Sequence, residues 1–264
     1  MQISGSKVLL TGATGGIGHA IARALAGRGA ELVLTGRRSE VLEPLAAECG
    51  ARALTVDLSQ RAEIDRLLAE AGKIDILIAN AALPGTGTLE SYTVEQLDRV
   101  LEVNLRAPIM LAHALLPGML SARSGHLVFI SSLSAKAATE RSAMYNATKF
   151  GLRGFANAVR ADLRGSGVGV TSVLPGFIRD AGMFAEAGEI KLPPGVGTRT
   201  PEDVASAVVT GIEKNLGEID VASLMLRLSS TFAGVAPETA AKVARLAGSD
   251  KVAQQMDAGQ RTKR

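Results

Sequence analysis

Short runs of β-branched and other apolar residues alternate along this chain with longer stretches in which apolar positions recur every three or four residues. The short runs predict strands over residues 8–10, 31–35, 53–56, 74–79, 126–130 and 169–174, with a last one over 218–222. Most are nearly continuous in apolar character, as strands covered on both faces must be. The longer stretches predict helices over 17–26, 40–48, 62–71, 94–120 and 143–163, then two more over 224–232 and 238–246. Strand–helix–strand alternation implies an α/β fold, with a parallel sheet, right-handed crossovers and helices on both sides. Ser39 and Ser59 are expected N-caps. Thr200-Pro201-Glu202-Asp203 supplies a cap, a first-turn proline and acidic residues where a helix N-terminus favours them. Residues 179–199, with Pro193, Pro194, Gly195 and Gly197, form the longest irregular stretch and read as a lid. The expected organisation is one domain over 1–222 and a helical extension over 223–264 packed on it.

Composition narrows the picture. A chain of 264 residues, 47% hydrophobic and 21% charged, fits one large α/β domain and needs no disulfide or metal to hold it. Aromatics are only 3%, so the core must rest on Leu, Val, Ile and Ala. The single cysteine, Cys49, reads as a small apolar filler near a helix end. His19, His113 and His126 are scattered, and no cluster spells a metal site. The start, MQISGSKVLLTGATGG, runs into a glycine-rich turn and not a cleavage site, and no uncharged run reaches the ~18 residues of a membrane span. The cytosol is the expected location. Net charge is +3, and much of the excess sits in the tail, where Lys242, Arg245, Lys251, Arg261, Lys263 and Arg264 face only Asp250 and Asp257. With no aromatics interleaved, that tail reads as a solvated, frayed end and not as a specific nucleic-acid arm.

Two constellations carry chemistry. Directly after the first strand, residues 11–18 read Thr-Gly-Ala-Thr-Gly-Gly-Ile-Gly, and an apolar helix follows. Gly12 permits a tight turn, Thr14, Gly15 and Ile17 complete it, and Gly16 and Gly18 leave space for a pyrophosphate at the helix N-terminus. Further on, Tyr145 and Lys149 lie four residues apart and share a helix face. A free phenol has a pKa near ~10, and a neighbouring ammonium is expected to lower it, so that Tyr145 exchanges a proton with an alcohol or developing alkoxide. Ser132, just past the strand ending at Ile130, offers a hydroxyl to the substrate oxygen. Asn104 is a polar amide in the middle of an apolar helix.

These residues together resemble the short-chain dehydrogenase/reductase family. The resemblance rests on the turn at residues 11–18, Asp57, Asn80-Ala81-Ala82, Asn104, Ser132, Tyr145 with Lys149, and Pro175-Gly176, all in family order. It implies a Rossmann-type, doubly wound sheet in three layers and an enzyme that passes hydride between a nicotinamide cofactor and a carbonyl or secondary alcohol. It implies Tyr145 as acid/base, Ser132 orienting the carbonyl, Lys149 on the nicotinamide ribose and Asn104 positioning a water. Asp57 and Leu58 would meet the adenine, Asn80 and Ala81 line the cleft, and Pro175, Gly176 and Ile178 border the carboxamide. It also implies a homodimer or homotetramer. The chain departs from the family pattern at Ala79-Asn80-Ala81-Ala82, at Asp180 where a threonine is usual, and beyond Leu216.

The second strand ends in Thr35-Gly36-Arg37-Arg38. An NAD site would place an acidic residue there. Gly36 is expected to leave room, and Arg37, with Arg38, to fork a 2′-phosphate, so NADP(H) is preferred and NAD(H) remains possible. Leu133, Met144, Phe177 and Phe184 suggest an apolar substrate pocket. A non-catalytic nucleotide sensor on the same fold is the competing reading, but a sensor has no need of Ser132, Tyr145 and Lys149 together.

Overall fold

The computed structural model describes residues 1–193 and 196–261. Pro194 and Gly195 of the expected lid, and Lys263 and Arg264 of the basic tail, lie outside the described residues.

Among the described residues, seven strands form one parallel sheet: β1 (Lys7–Leu10), β2 (Glu31–Gly36), β3 (Arg52–Thr55), β4 (Ile76–Ala79), β5 (Gly125–Ile130), β6 (Val168–Pro175) and β7 (Glu218–Val221). Their order is β3-β2-β1-β4-β5-β6-β7. The chain therefore winds outward from β1 in one direction, returns, and winds the other way from β4. That reversal opens a crevice at the carboxyl ends of β1 and β4. Successive side chains of a strand face opposite ways. Val8 and Leu10 pack beneath α1 (Gly16–Ala26), α2 (Ser39–Cys49) and α8 (Pro201–Lys214), with Ile21, Leu25, Leu42 and Val208. Leu9 faces the other layer, made by α3 (Arg61–Ala71), α5 (Ala107–Ala122) and α6 (Ala143–Asp162), with Leu67, Leu111, Phe129 and Leu152. Phe129 is the largest fully buried side chain, so aliphatic residues do fill the rest.

Three expectations need correction. The helix expected over 94–120 is α4 (Val94–Leu101) and α5, joined by a π-helical turn, Glu102–Arg106. The combined stretch Val94–Ala122 is long and apolar enough to cross a membrane, yet Leu111, Leu115 and Met119 spend its apolar face on the sheet. Neither Ser39 nor Ser59 caps a helix. Ser39 is the first residue of α2, whose N-cap is Arg38. The hydroxyl of Ser59 donates to Asp57 Oδ1 (2.8 Å), and Gln60 takes the N-cap position of α3. Thr200, by contrast, makes the full capping box with Asp203. Finally, the tail is not frayed through residue 260. After α9 (Leu224–Val235) and α10 (Pro237–Leu246), α11 (Ser249–Gln260) returns to the body of the molecule and buries Val252 and Gln260.

The stretch read as a lid is closed at its base by a backbone bridge between Ile178 and Arg199, and carries one short turn of helix, α7 (Gly182–Ala185). Cys49 ends α2, partly buried against the core.

Candidate active site

The carboxyl ends of six neighbouring strands converge on one cleft of about 1600 Å³. β1 delivers Gly12, Thr14, Gly15, Gly16, Ile17 and Gly18. β2 delivers Arg37 and Arg38, β3 Asp57 and Leu58, β4 Asn80 and Ala81. β5 delivers Ser132, and β6 ends in Pro175, Gly176 and Ile178. Tyr145 and Lys149 enter from the first turns of α6. Every catalytic or cofactor-binding residue expected from the sequence lines this cleft except Asn104.

The glycine turn fits an anionic dinucleotide. Gly12 has φ +66°, and a Cβ there would stand 2.7 Å from the Cα of Ala81. α1 starts with no side-chain cap and no acidic residue in its first turn, so its N-terminal N–H groups and partial positive charge are available to phosphate. Asn80 has a structural task beside its place in the wall. Its amide donates to the carbonyls of Thr11 (3.1 Å) and Gly12 (3.0 Å), while the Thr11 hydroxyl accepts from the N–H groups of Asn80 and Ala81. The turns after β1 and β4 are thereby lashed together across the crevice.

Beyond β2, Arg38 donates to the Thr14 carbonyl at 2.5 Å and folds over the glycine turn. Arg37 stays exposed on the rim. Burial alone would raise the Asp57 carboxyl, but the N–H and hydroxyl of Ser59, with Arg37 and Arg99 nearby, hold it below the usual range. Gly36 does not leave the room expected of it. A side chain there would meet Thr14 at 2.6 Å, so the glycine serves the close approach of strand and turn.

The three catalytic candidates sit together. Ser132 is buried; its Oγ accepts from the N–H of Ser134 at 3.1 Å, its hydroxyl donates to the Pro175 carbonyl at 3.5 Å, and it stands beside the Tyr145 phenol on the cleft wall. Lys149, only 2% exposed, donates to the Ile130 carbonyl at 3.0 Å, and its Nζ lies 5.6 Å from the centre of the Tyr145 ring. Burial pulls its ammonium down to about 8. The phenol moves the other way from expectation. Burial pushes it above its ordinary value, and the Ser132 hydroxyl only partly offsets that. A low-dielectric wall disfavours the phenolate, and the ammonium that was to stabilise it is itself desolvated and turned to a carbonyl. Tyr145 therefore keeps its proton at neutral pH.

Asn104 stands in the π-helical turn, away from the cleft. Its Oδ1 accepts from the N–H of Leu83 (2.6 Å) and its Nδ2 donates to the Leu83 carbonyl (2.8 Å). Both ends of the amide are thus spent on fixing the loop after β4, and Val103 takes the place on the cleft wall. Asp180 is exposed beside Arg179 (3.4 Å), and it too lies outside the cleft. Of the four apolar residues expected around the substrate, Leu133, Phe177 and Phe184 line the cleft, with the two phenyl rings 5.0 Å apart. Met144 turns away to pack with Leu83, Val100 and Val103.

The sequence reading missed two groups. Asn146 ties the segment after Ser132 to α6 by donating to the carbonyls of Ser134 (2.7 Å) and Ala137 (3.2 Å). Met225, Leu226, Phe232, Met256 and Gln260, from α9 and α11, form a far wall of the cleft. The helix carrying Met225, Leu226 and Phe232 was legible over 224–232, though no motif told which face would turn inward, whereas α11, with Met256 and Gln260, lies in the tail that was expected to be frayed. Among the described residues, no group of three or more His, Cys, Asp or Glu is placed to hold a metal ion.

A family model described as short chain dehydrogenase matches residues 6–191. The chain belongs to the short-chain dehydrogenase/reductase family. It is 35% identical over 228 residues to the ketoacyl reductase HetN of Nostoc sp. (strain PCC 7120), covering 83% of this chain and 79% of that protein. Among solved structures, it resembles a short-chain dehydrogenase from Sphingobium yanoikuyae in complex with NADPH (TM-score 0.75, 29% identity, 81% of this chain and 87% of that one). It also resembles a metagenomic short-chain oxidoreductase in complex with NADP (TM-score 0.69, 31% identity, 84% and 98%). This dehydrogenase/reductase is therefore an NAD(P)-dependent oxidoreductase, and α9–α11 lie wholly beyond the matched segment.

Proposed function

We propose that this dehydrogenase/reductase reduces the carbonyl of an apolar ketone or aldehyde, and oxidises the matching alcohol, with NADP(H) preferred over NAD(H). The observation that carries the reading is the convergence of Ser132, Tyr145 and Lys149 on the wall of a glycine-cradled cleft. When bound, the reduced nicotinamide supplies a hydride. The chain's own residues do the rest. The turn at Gly12–Gly18 and the N-terminus of α1 hold the phosphates. Arg37, unshielded on the rim, takes the 2′-phosphate, while Arg38 seals the turn beneath it. Asp57, kept ionised, and Leu58 bound the adenine, and Pro175, Gly176 and Ile178 the nicotinamide. Ser132 donates to the substrate oxygen and holds it against Tyr145. Tyr145 gives its proton to that oxygen as negative charge develops there. Lys149 lends positive charge to the phenolate left behind. Asn104 acts at one remove, by fixing the Leu83 loop that borders the cleft.

Homo-oligomeric assembly in the cytosol belongs to the same proposal. The test is a panel of ketones, aldehydes and secondary alcohols with NADPH or NADP⁺, read by nicotinamide absorbance. Oxidation of NADPH by an apolar carbonyl is expected. Tight NADPH binding with no turnover across the panel would favour a sensor instead.

A further inference from the structure

The cleft does not end at Tyr145. At about 1600 Å³ it exceeds the roughly 300–1,000 Å³ usual for a single small-molecule pocket. Part of its lining comes from α9, α10 and α11, which form an arch. At one end, Leu226 of α9 packs on the cluster of Leu133, Leu174 and Ala222. At the other, α11 is latched by Gln260, which is 1% exposed. Its Oε1 accepts from the Thr86 hydroxyl (2.9 Å) and its Nε2 donates to the Met183 carbonyl in α7 (2.7 Å). Thr86 follows Gly85, whose carbonyl receives the N–H of Tyr145. Arg141 and Asp257 add an ion pair at 3.0 Å. The end of the arch is therefore fastened both to the lid and to the loop that seats the catalytic tyrosine.

Between its anchors the arch presents apolar side chains that pack on little. Met225, Phe232 and Val243 line the cleft yet remain 57%, 48% and 58% exposed, and Ala244 and Met256 line it beside them. Apolar surface held open inside a cleft is surface that a ligand can take out of water. Resting on the carbonyl-reductase reading above, we propose that the arch is the compartment for a long hydrocarbon chain. The carbonyl is held at Tyr145 and the chain runs beneath α9 and α11, with Gln260 as the latch that keeps the compartment roofed.

Two measurements test this, one of them independent of catalysis. Along straight-chain methyl ketones from butanone to 2-dodecanone, kcat/KM is expected to rise roughly 3- to 4-fold per methylene until the compartment is full. A flat series among ketones that are turned over would overturn the proposal. Equilibrium binding of a nitrobenzoxadiazole-labelled dodecanol, followed by fluorescence, is expected to weaken at least tenfold in Met256→Lys and in Ala244→Lys. Ala244 sits on the exposed α10, so its variant remains informative if Met256→Lys fails to fold. Probe binding as tight as wild type in either folded variant would also overturn it. If no ketone of any length reacts, the catalytic reading falls while the probe still decides the compartment.

Discussion

Arg37 is the residue on which the proposed preference for NADP(H) turns. Arg38 is already committed to the Thr14 carbonyl, and Gly36 to the close contact with Thr14. That leaves Arg37 as the exposed guanidinium at the rim of the adenine end. A charge-assisted hydrogen bond contributes roughly 1.5–3 kcal/mol, or about 10- to 150-fold. Arg37→Asp should therefore move the ratio of kcat/KM for NADPH over NADH toward NADH by that order, and an unchanged ratio would remove Arg37 from the role. At this scale the sequence named the residues but misjudged some of their work. Asn104 stood out because a buried amide on an apolar helix needs partners, but the partner, Leu83, comes from a loop that no local pattern ties to it. The phenol of Tyr145 was expected to fall because spacing shows the ammonium four residues on. Spacing does not show burial, and burial decides the direction here.

Elements were legible where their pattern was local. All seven strands lie within two residues of where the apolar runs put them, and the Thr200 capping box was visible as a motif. The break between α4 and α5 was not, because the π-helical turn leaves the apolar periodicity almost intact, and Pro108, in the first turn of α5, was its one local mark. Also hidden was what holds β7, the edge strand. Lys136, from the segment after Ser132, lies 2.7 Å from Asp220 and 2.8 Å from Glu218, and Arg153 of α6 reaches Glu218 at 2.6 Å. Lys136 and Asp220 are each only 11% exposed. Lys136→Met would leave the buried carboxylate of Asp220 with Arg227 at 3.9 Å, while Glu218 keeps Arg153. It should lower the unfolding free energy in urea by roughly 3 kcal/mol, and an unshifted urea midpoint would contradict that account.

The whole molecule is a two-sided sheet whose strands end at the cleft, while its interior carries groups that only pack. His126 is one of the latter. It lies inside β5 with Nε2 2.8 Å from the Thr171 hydroxyl, and burial, with the N-terminus and Arg160, pulls its pKa from 6.5 to about 3. The unfolded chain therefore takes up a proton at His126 between those values and the folded chain does not. Stability is lost as pH falls from about 6.5 toward 3. Replacing His126 with Gln should flatten the fall of the thermal midpoint across that window, and an identical slope would show that other groups govern it. The central claim concerns the other class of residue, a protonated phenol held by Ser132 and backed by Lys149 as the proton donor in carbonyl reduction. It is tested most directly by Tyr145→Phe, measuring NADPH affinity and steady-state reduction of the best carbonyl on the same preparation. The account predicts NADPH affinity close to wild type and kcat lower by roughly 10²- to 10⁴-fold. Turnover at the wild-type rate in that variant would contradict it.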